Sequence, residues 1–161
     1  MILRERTHVK ATAEQIWAVL RDPRLMSQWN PHCVYCDASE GTMRVGLRFK
    51  ATMHFGAGPA RLLDCEVIAC EPQRILTLRF SGEAAGGADE YVEETYGFQP
   101  VEGGTKVLHQ IDFSHSGLPR FLQVVLKVVH LVGQPQGKSP LDGLKELAEV
   151  PAARGTTEKQ Q

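Results

Sequence analysis

No run in this 161-residue chain approaches the roughly 20 consecutive apolar residues of a membrane-spanning helix, so no integral membrane segment is expected. Charge of one sign is not in excess either. Eighteen Lys and Arg stand against 19 Asp and Glu, a formal net charge of -1. That balance gives no electrostatic reason to expect nucleic acid as a partner. The opening MILRERTHVK lacks the apolar core of a secretory signal, and the expected location is cytoplasmic. Cysteine is scarce: Cys33, Cys36, Cys65 and Cys70, read as free thiols of a reducing compartment. His32-Cys33-x-x-Cys36 has no second CxxC to complete a zinc site, and on a regular strand positions 33 and 36 point to opposite faces. A nucleophilic role for either thiol has no assignable base. Glycine-rich GEAAGGA lacks the G-x-G-x-x-G spacing, and neither G-x-S-x-G nor a Walker A element occurs. No metal and no cofactor is expected.

What is present is an ordinary globular composition, 42% hydrophobic and 23% charged, suited to one domain over residues 1–150 with a polar, disordered tail over 151–161. Residues 2–10 read as a strand, with Ile2 and Val9 its clearest apolar positions. Thr12 and Gln15 have capping-box spacing ahead of a helix bearing Ile16, Trp17, Val19 and Leu20, which Pro23 ends. A second helical turn is expected from Arg24 to about Trp29. Period-two patterning then predicts strands over Val34–Ala38, Gly46–Phe55, Arg61–Cys70, Ile75–Ser81, Glu90–Gln99 and Thr105–Ser114. Leu47, Phe49, Ala51, Met53 and Phe55 share one face, as do Leu63, Cys65, Val67 and Ala69. GEAAGGA reads as a flexible connection. Strands polar on one face only are antiparallel and covered on the other, and the cover expected is an apolar helix over Leu118–Val132. Glycines and prolines interrupt that helix between Gly133 and Pro140, and a last helical segment follows over Leu141–Glu149.

Strand parity within the last hairpin places Val92, Glu94, Tyr96 and Phe98 on one face, and Val107, His109, Ile111, Phe113 and His115 on its partner. A turn at Glu102-Gly103 pairs Phe98 with Val107, Tyr96 with His109 and Glu94 with Ile111. A buried Glu94 needs a partner, and Tyr96 and His109 are the candidates. Such a cluster orients a ligand oxygen, serves as acid and base, or is simply a satisfied polar cluster.

An opening strand, AEQIWAVLRDP, the Trp29-Asn30-Pro31 element, VGLRF, EVIACEPQRIL, GFQPVEGGTKV and LDGLKELAE together resemble the START-like superfamily, in its polyketide cyclase/dehydrase and lipid-transport branch, across residues 2–149. The resemblance implies an α+β helix-grip fold: a seven-stranded curved antiparallel sheet, order β-α-α-β6-α, around a long C-terminal helix. It also implies an apolar cavity between sheet and helix for a lipid, hormone, quinone or polyketide. Trp29 and Asn30 would then lie near the cavity mouth, although Trp29 suits plain core packing equally well. Phe49, Met53, Phe80, Phe113, Phe121, Leu122, Val125 and Val129 are the wall candidates, with Trp29, Glu94, Tyr96 and His109 completing the ligand set. The leading function is a carrier or sensor of a small hydrophobic molecule. Second is a cyclase or dehydratase using Glu94, Tyr96 and His109 as acid–base groups. Third is a protein-interaction module, ranked last because the outer face (Arg48, Lys50, Asp64, Glu66, Arg79, Glu93, Gln110, Asp112) is polar. A homodimer is left open.

Overall fold

The computed structural model of the chain describes residues 1–39, 41–54, 59–82, 87–119 and 138–150. Strand β1 (Ile2–Val9) leads into helix α1 (Ala13–Leu20), a 3-10 turn (Pro23–Leu25) and the single-turn helix α2 (Met26–Trp29). Six strands follow: β2 (Cys33–Asp37), β3 (Arg48–Met53), β4 (Arg61–Glu71), β5 (Ile75–Gly82), β6 (Gly87–Val101) and β7 (Gly104–Asp112). Helix α3 (Pro140–Glu149) comes last. The sheet order is β1-β7-β6-β5-β4-β3-β2, and every neighbouring pair is antiparallel. This is the helix-grip arrangement: one seven-stranded antiparallel sheet with helices on a single face. The helix expected from Leu118 falls outside the described residues after Pro119, as do Phe55 and the tail.

The helix starts follow from local chemistry. Thr12 accepts a hydrogen bond from the Gln15 backbone at 3.2 Å, and Gln15 Oε1 accepts one from the Thr12 N–H at 2.8 Å, so the capping box forms. Helix α1 buries Ala13, Ile16, Trp17 and Leu20, with Trp17 edge-on to Phe98 at 6.3 Å. Pro23 opens the next turn, capped by Asp22. In α3, Ser139 and Asp142 form a second capping box with Pro140 at the first helical position, and Leu141, Leu144 and Ala148 are buried.

Alternation sorts the sheet into two faces. Phe49, Ala51, Met53, Leu63, Cys65, Val67, Leu76, Leu78 and Phe80 are buried beneath the helices. The outer face carries cross-strand ion pairs: Arg48–Glu66 at 3.3 Å, Lys50–Asp64 at 2.9 Å and Arg79–Glu93 at 2.8 Å. Each such exposed pair contributes only about 0–1 kcal/mol, so apolar burial on the inner face holds the sheet to its helices.

Two β-bulges overturn parity expectations. Val34 is the extra residue between Cys33 and Tyr35, so Cys33 and Cys36 both turn inward and are buried rather than facing opposite ways. Ile68 is the extra residue between Val67 and Ala69, so beyond it Cys70, opposite Leu76, takes the inward side and Ala69 leaves it. On β1 the inward row is Leu3, Glu5, Thr7 and Val9, and Ile2 is exposed. Strand β6 starts at Gly87, inside the stretch expected to be a connection.

Gly143 sets the approach of α3 to α2. A Cβ there would collide with the Trp29 carbonyl oxygen. Gly→Ala inside a helix ordinarily stabilises by about 1 kcal/mol. Here Gly143→Ala is expected to destabilise by about 1–3 kcal/mol, because backbone cannot yield as a side chain can. Urea unfolding measures the sign directly, and a gain in stability would mean that the two helices do not touch.

Candidate functional site

The β1–β7–β6 register builds one row across three strands: Glu5 opposite His109, and His109 opposite Tyr96. Glu94 follows two residues before Tyr96 on the same face, opposite Ile111. The hairpin pairs Phe98 with Val107, Tyr96 with His109 and Glu94 with Ile111, the register expected from its turn. Gly103, at φ 76, supplies the left-handed residue of that turn.

Within the row, His109 Nδ1–H donates to Glu5 Oε1 at 2.8 Å, and the Tyr96 hydroxyl donates to Glu94 Oε2 at 2.9 Å. His109 Nε2 stands 3.5 Å from the same Glu94 oxygen, close enough for ionic attraction but without a formed hydrogen bond. The Tyr96 and His109 rings stack at 4.5 Å, 10° from parallel. Trp29, at the end of α2, meets Tyr96 edge-on at 5.5 Å and 85°. Tyr96, His109, Trp29 and Glu94 are all buried. Glu5 keeps 31% of its side chain exposed.

Burial would push the His109 pKa down, but the hydrogen bond to Glu5 and the pull of Glu94 outweigh it and raise it to about 9. Burial would push Glu94 up, yet His109 and the Tyr96 hydroxyl together hold it below the usual carboxylate range. Burial, and then the Glu94 charge, drive Tyr96 well above an ordinary phenol. At neutral pH the row is therefore a buried imidazolium between two carboxylates, beside a neutral phenol.

The structure brings Trp29, Glu94, Tyr96 and His109 together. Phe49, Met53 and Phe80 are buried on the same inner face. Phe113 lies beyond the end of β7, half-buried, its N–H donating to the Met1 carbonyl at 2.8 Å. Phe121, Leu122, Val125 and Val129 fall outside the described residues. Asn30 is buried as a turn bracket, its Oδ1 accepting from the His32 N–H at 3.0 Å. Glu5 escaped the sequence reading. Its only signal was parity: it lies four residues before the buried Val9 and so on the same face of β1. A shallow, open groove on the outer face, lined by Arg6, Arg74, Ile75, Gly97, Lys106 and Leu108, is separated from this row by the sheet itself.

The family model described as "Polyketide cyclase / dehydrase and lipid transport" matches residues 2–149. No curated protein sequence matches the chain. Among solved structures, protein MLL2253 from Mesorhizobium loti is 22% identical with a TM-score of 0.63, the match covering 91% of this chain and 96% of that one. A protein from Arthrobacter aurescens, solved by NMR, is 17% identical with a TM-score of 0.65, covering 99% and 93%. DynU16, a protein of the dynemicin biosynthetic locus, is 21% identical with a TM-score of 0.62, covering 92% of this chain and 47% of that one. At these identities the likeness is one of fold.

Proposed function

The chain belongs to the polyketide cyclase/dehydrase and lipid transport family, and from that premise we propose that it binds a small hydrophobic molecule between sheet and helices, as a carrier or sensor. The observation that carries this reading is a polar row (Glu5, Glu94, Tyr96, His109) set into a largely apolar inner face. Apolar walls with a few fixed polar groups are how small-molecule sites hold and orient a ligand.

A cyclase or dehydratase role for Glu94, Tyr96 and His109 is the second reading, favoured by their contact distances. The protonation states favour the carrier. His109 stays charged to about pH 9, Glu94 stays ionised and Tyr96 keeps its proton, so none of these three is poised near neutrality, where general acid–base catalysis works best.

Native mass spectrometry of freshly purified protein is expected to show a retained hydrophobic adduct, or uptake of one from a lipid and polyketide panel. A protein that stays bare through the whole panel would end the carrier reading. Turnover of a polyketide substrate that is lost in His109→Gln would favour the enzyme instead.

A further inference from the structure

Two buried N–H groups of the site have no hydrogen-bond partner among the described residues: the indole Nε1 of Trp29 and the imidazole Nε2 of His109. Both side chains are 1% exposed. Buried donors are almost always satisfied, and an orphan in a native interior signals a missing water or ligand. These two are not scattered, since their rings both pack against Tyr96. Neither nitrogen can serve as an acceptor. Indole has no lone pair available, and His109 Nε2 faces the Glu94 carboxylate at 3.5 Å, where a hydrogen is attracted and a lone pair repelled.

The charge around them narrows the partner further. Glu5 and Glu94 supply two carboxylates against one imidazolium, so the row already carries surplus negative charge. A ligand carboxylate reaching Nε2 would also lie close to Glu94, and like charges at such range repel strongly away from water.

Resting on the ligand-binding reading above, we infer that the ligand presents uncharged oxygen acceptors, carbonyls on an apolar frame, to Trp29 Nε1–H and His109 Nε2–H, and that carboxylated ligands are disfavoured. The site selects neutral ketones or quinones over fatty acids and over plain hydrocarbons.

The test uses three probes of one shape: dimethylnaphthoquinone (its ring carbons blocked against thiol addition), dimethylnaphthalene and naphthoate. Titration calorimetry on the unmodified protein is expected to rank the quinone at least about tenfold tighter than the hydrocarbon, the worth of a neutral hydrogen bond from Trp29 and a charge-assisted one from His109. Naphthoate is expected to bind weakest. In Trp29→Phe, which keeps the aromatic packing and removes one donor, the quinone's advantage is expected to shrink about threefold while hydrocarbon binding persists. Proton–nitrogen correlation spectra of the unmodified protein give a readout independent of any variant: the Trp29 indole resonance moves with the quinone and the Trp17 resonance does not. Equal binding of quinone and hydrocarbon with an unmoved Trp29 indole, or naphthoate binding tightest, overturns the acceptor inference and leaves a ligand cavity standing. Binding of none of the three overturns both.

Discussion

His109→Leu is expected to lower the unfolding free energy by about 3–5 kcal/mol at neutral pH, the cost of leaving a buried charge without its partner. Glu94 is buried, and the positive group in contact with it on the sheet is His109. The Tyr96 hydroxyl donates one hydrogen bond to Glu94 but brings no charge. With leucine at position 109, Glu94 must either stay ionised in an apolar setting or take up a proton, and both are unfavourable at neutral pH. Glu5 suffers less, because it is partly exposed to water. For a chain of this size the melting temperature should fall by roughly 10 °C. The double variant His109→Leu/Glu94→Gln is expected to recover most of that loss, since a neutral amide needs no counter-charge. Chemical denaturation of both variants decides the matter. A loss below about 1 kcal/mol in the single variant, or no recovery in the double, would show that the row is not a buried ion pair.

Stability should also fall on the alkaline side, for the same residue. The folded pKa of His109, about 9, lies above the unfolded value of 6.5, so the folded state holds the proton more tightly. Its contribution is whole below pH 6.5, declines as pH rises through 9 and is gone beyond. A difference of this size corresponds to about 3 kcal/mol. Glu94 behaves oppositely: its depressed pKa contributes above the unfolded value of 4.5 and is lost as pH falls. Burial raises the Cys33 thiol to about 11 and Cys36 to about 12, against an ordinary 9.0, so these thiols add a further alkaline loss only above pH 9. Unfolding free energies measured between pH 6 and 9 should therefore slope downward in the native protein and lie nearly flat in the double variant His109→Gln/Glu94→Gln, which removes the imidazole together with the buried carboxylate that would titrate in its absence. An unchanged slope in that variant would assign the titration to another group.

The two expectations rest on parts of the molecule that were unequally legible in the sequence. The Tyr96–His109 pairing could be read because a short hairpin closes at Glu102-Gly103-Gly104 and apolar residues mark both strands. Glu5 could not be paired with His109 that way. Strands β1 and β7 meet across 104 residues, and no turn connects them to set the register. The inward turn of both Cys33 and Cys36 was equally hidden. A bulge inserts one unpaired residue without leaving a mark in the alternation, and every parity argument beyond it reverses.

The sequence by itself determined the antiparallel sheet with one apolar face, the capping box at Thr12, and the family to which the chain belongs. Those features depend on neighbours a few residues apart and on side-chain period, which a linear string carries. Only the tertiary structure decided that a polar row on the inner face is an ionised one. That outcome depends on Glu5 arriving from the first strand, on Trp29 closing over Tyr96 from a helix, and on the exclusion of water from all of them. The sign of a buried pKa shift is set by the balance of desolvation against charges brought together by the fold. The inner face expected from patterning thus acquires a definite character, two buried N–H groups beside two carboxylates and an imidazolium, from contacts between residues remote in sequence.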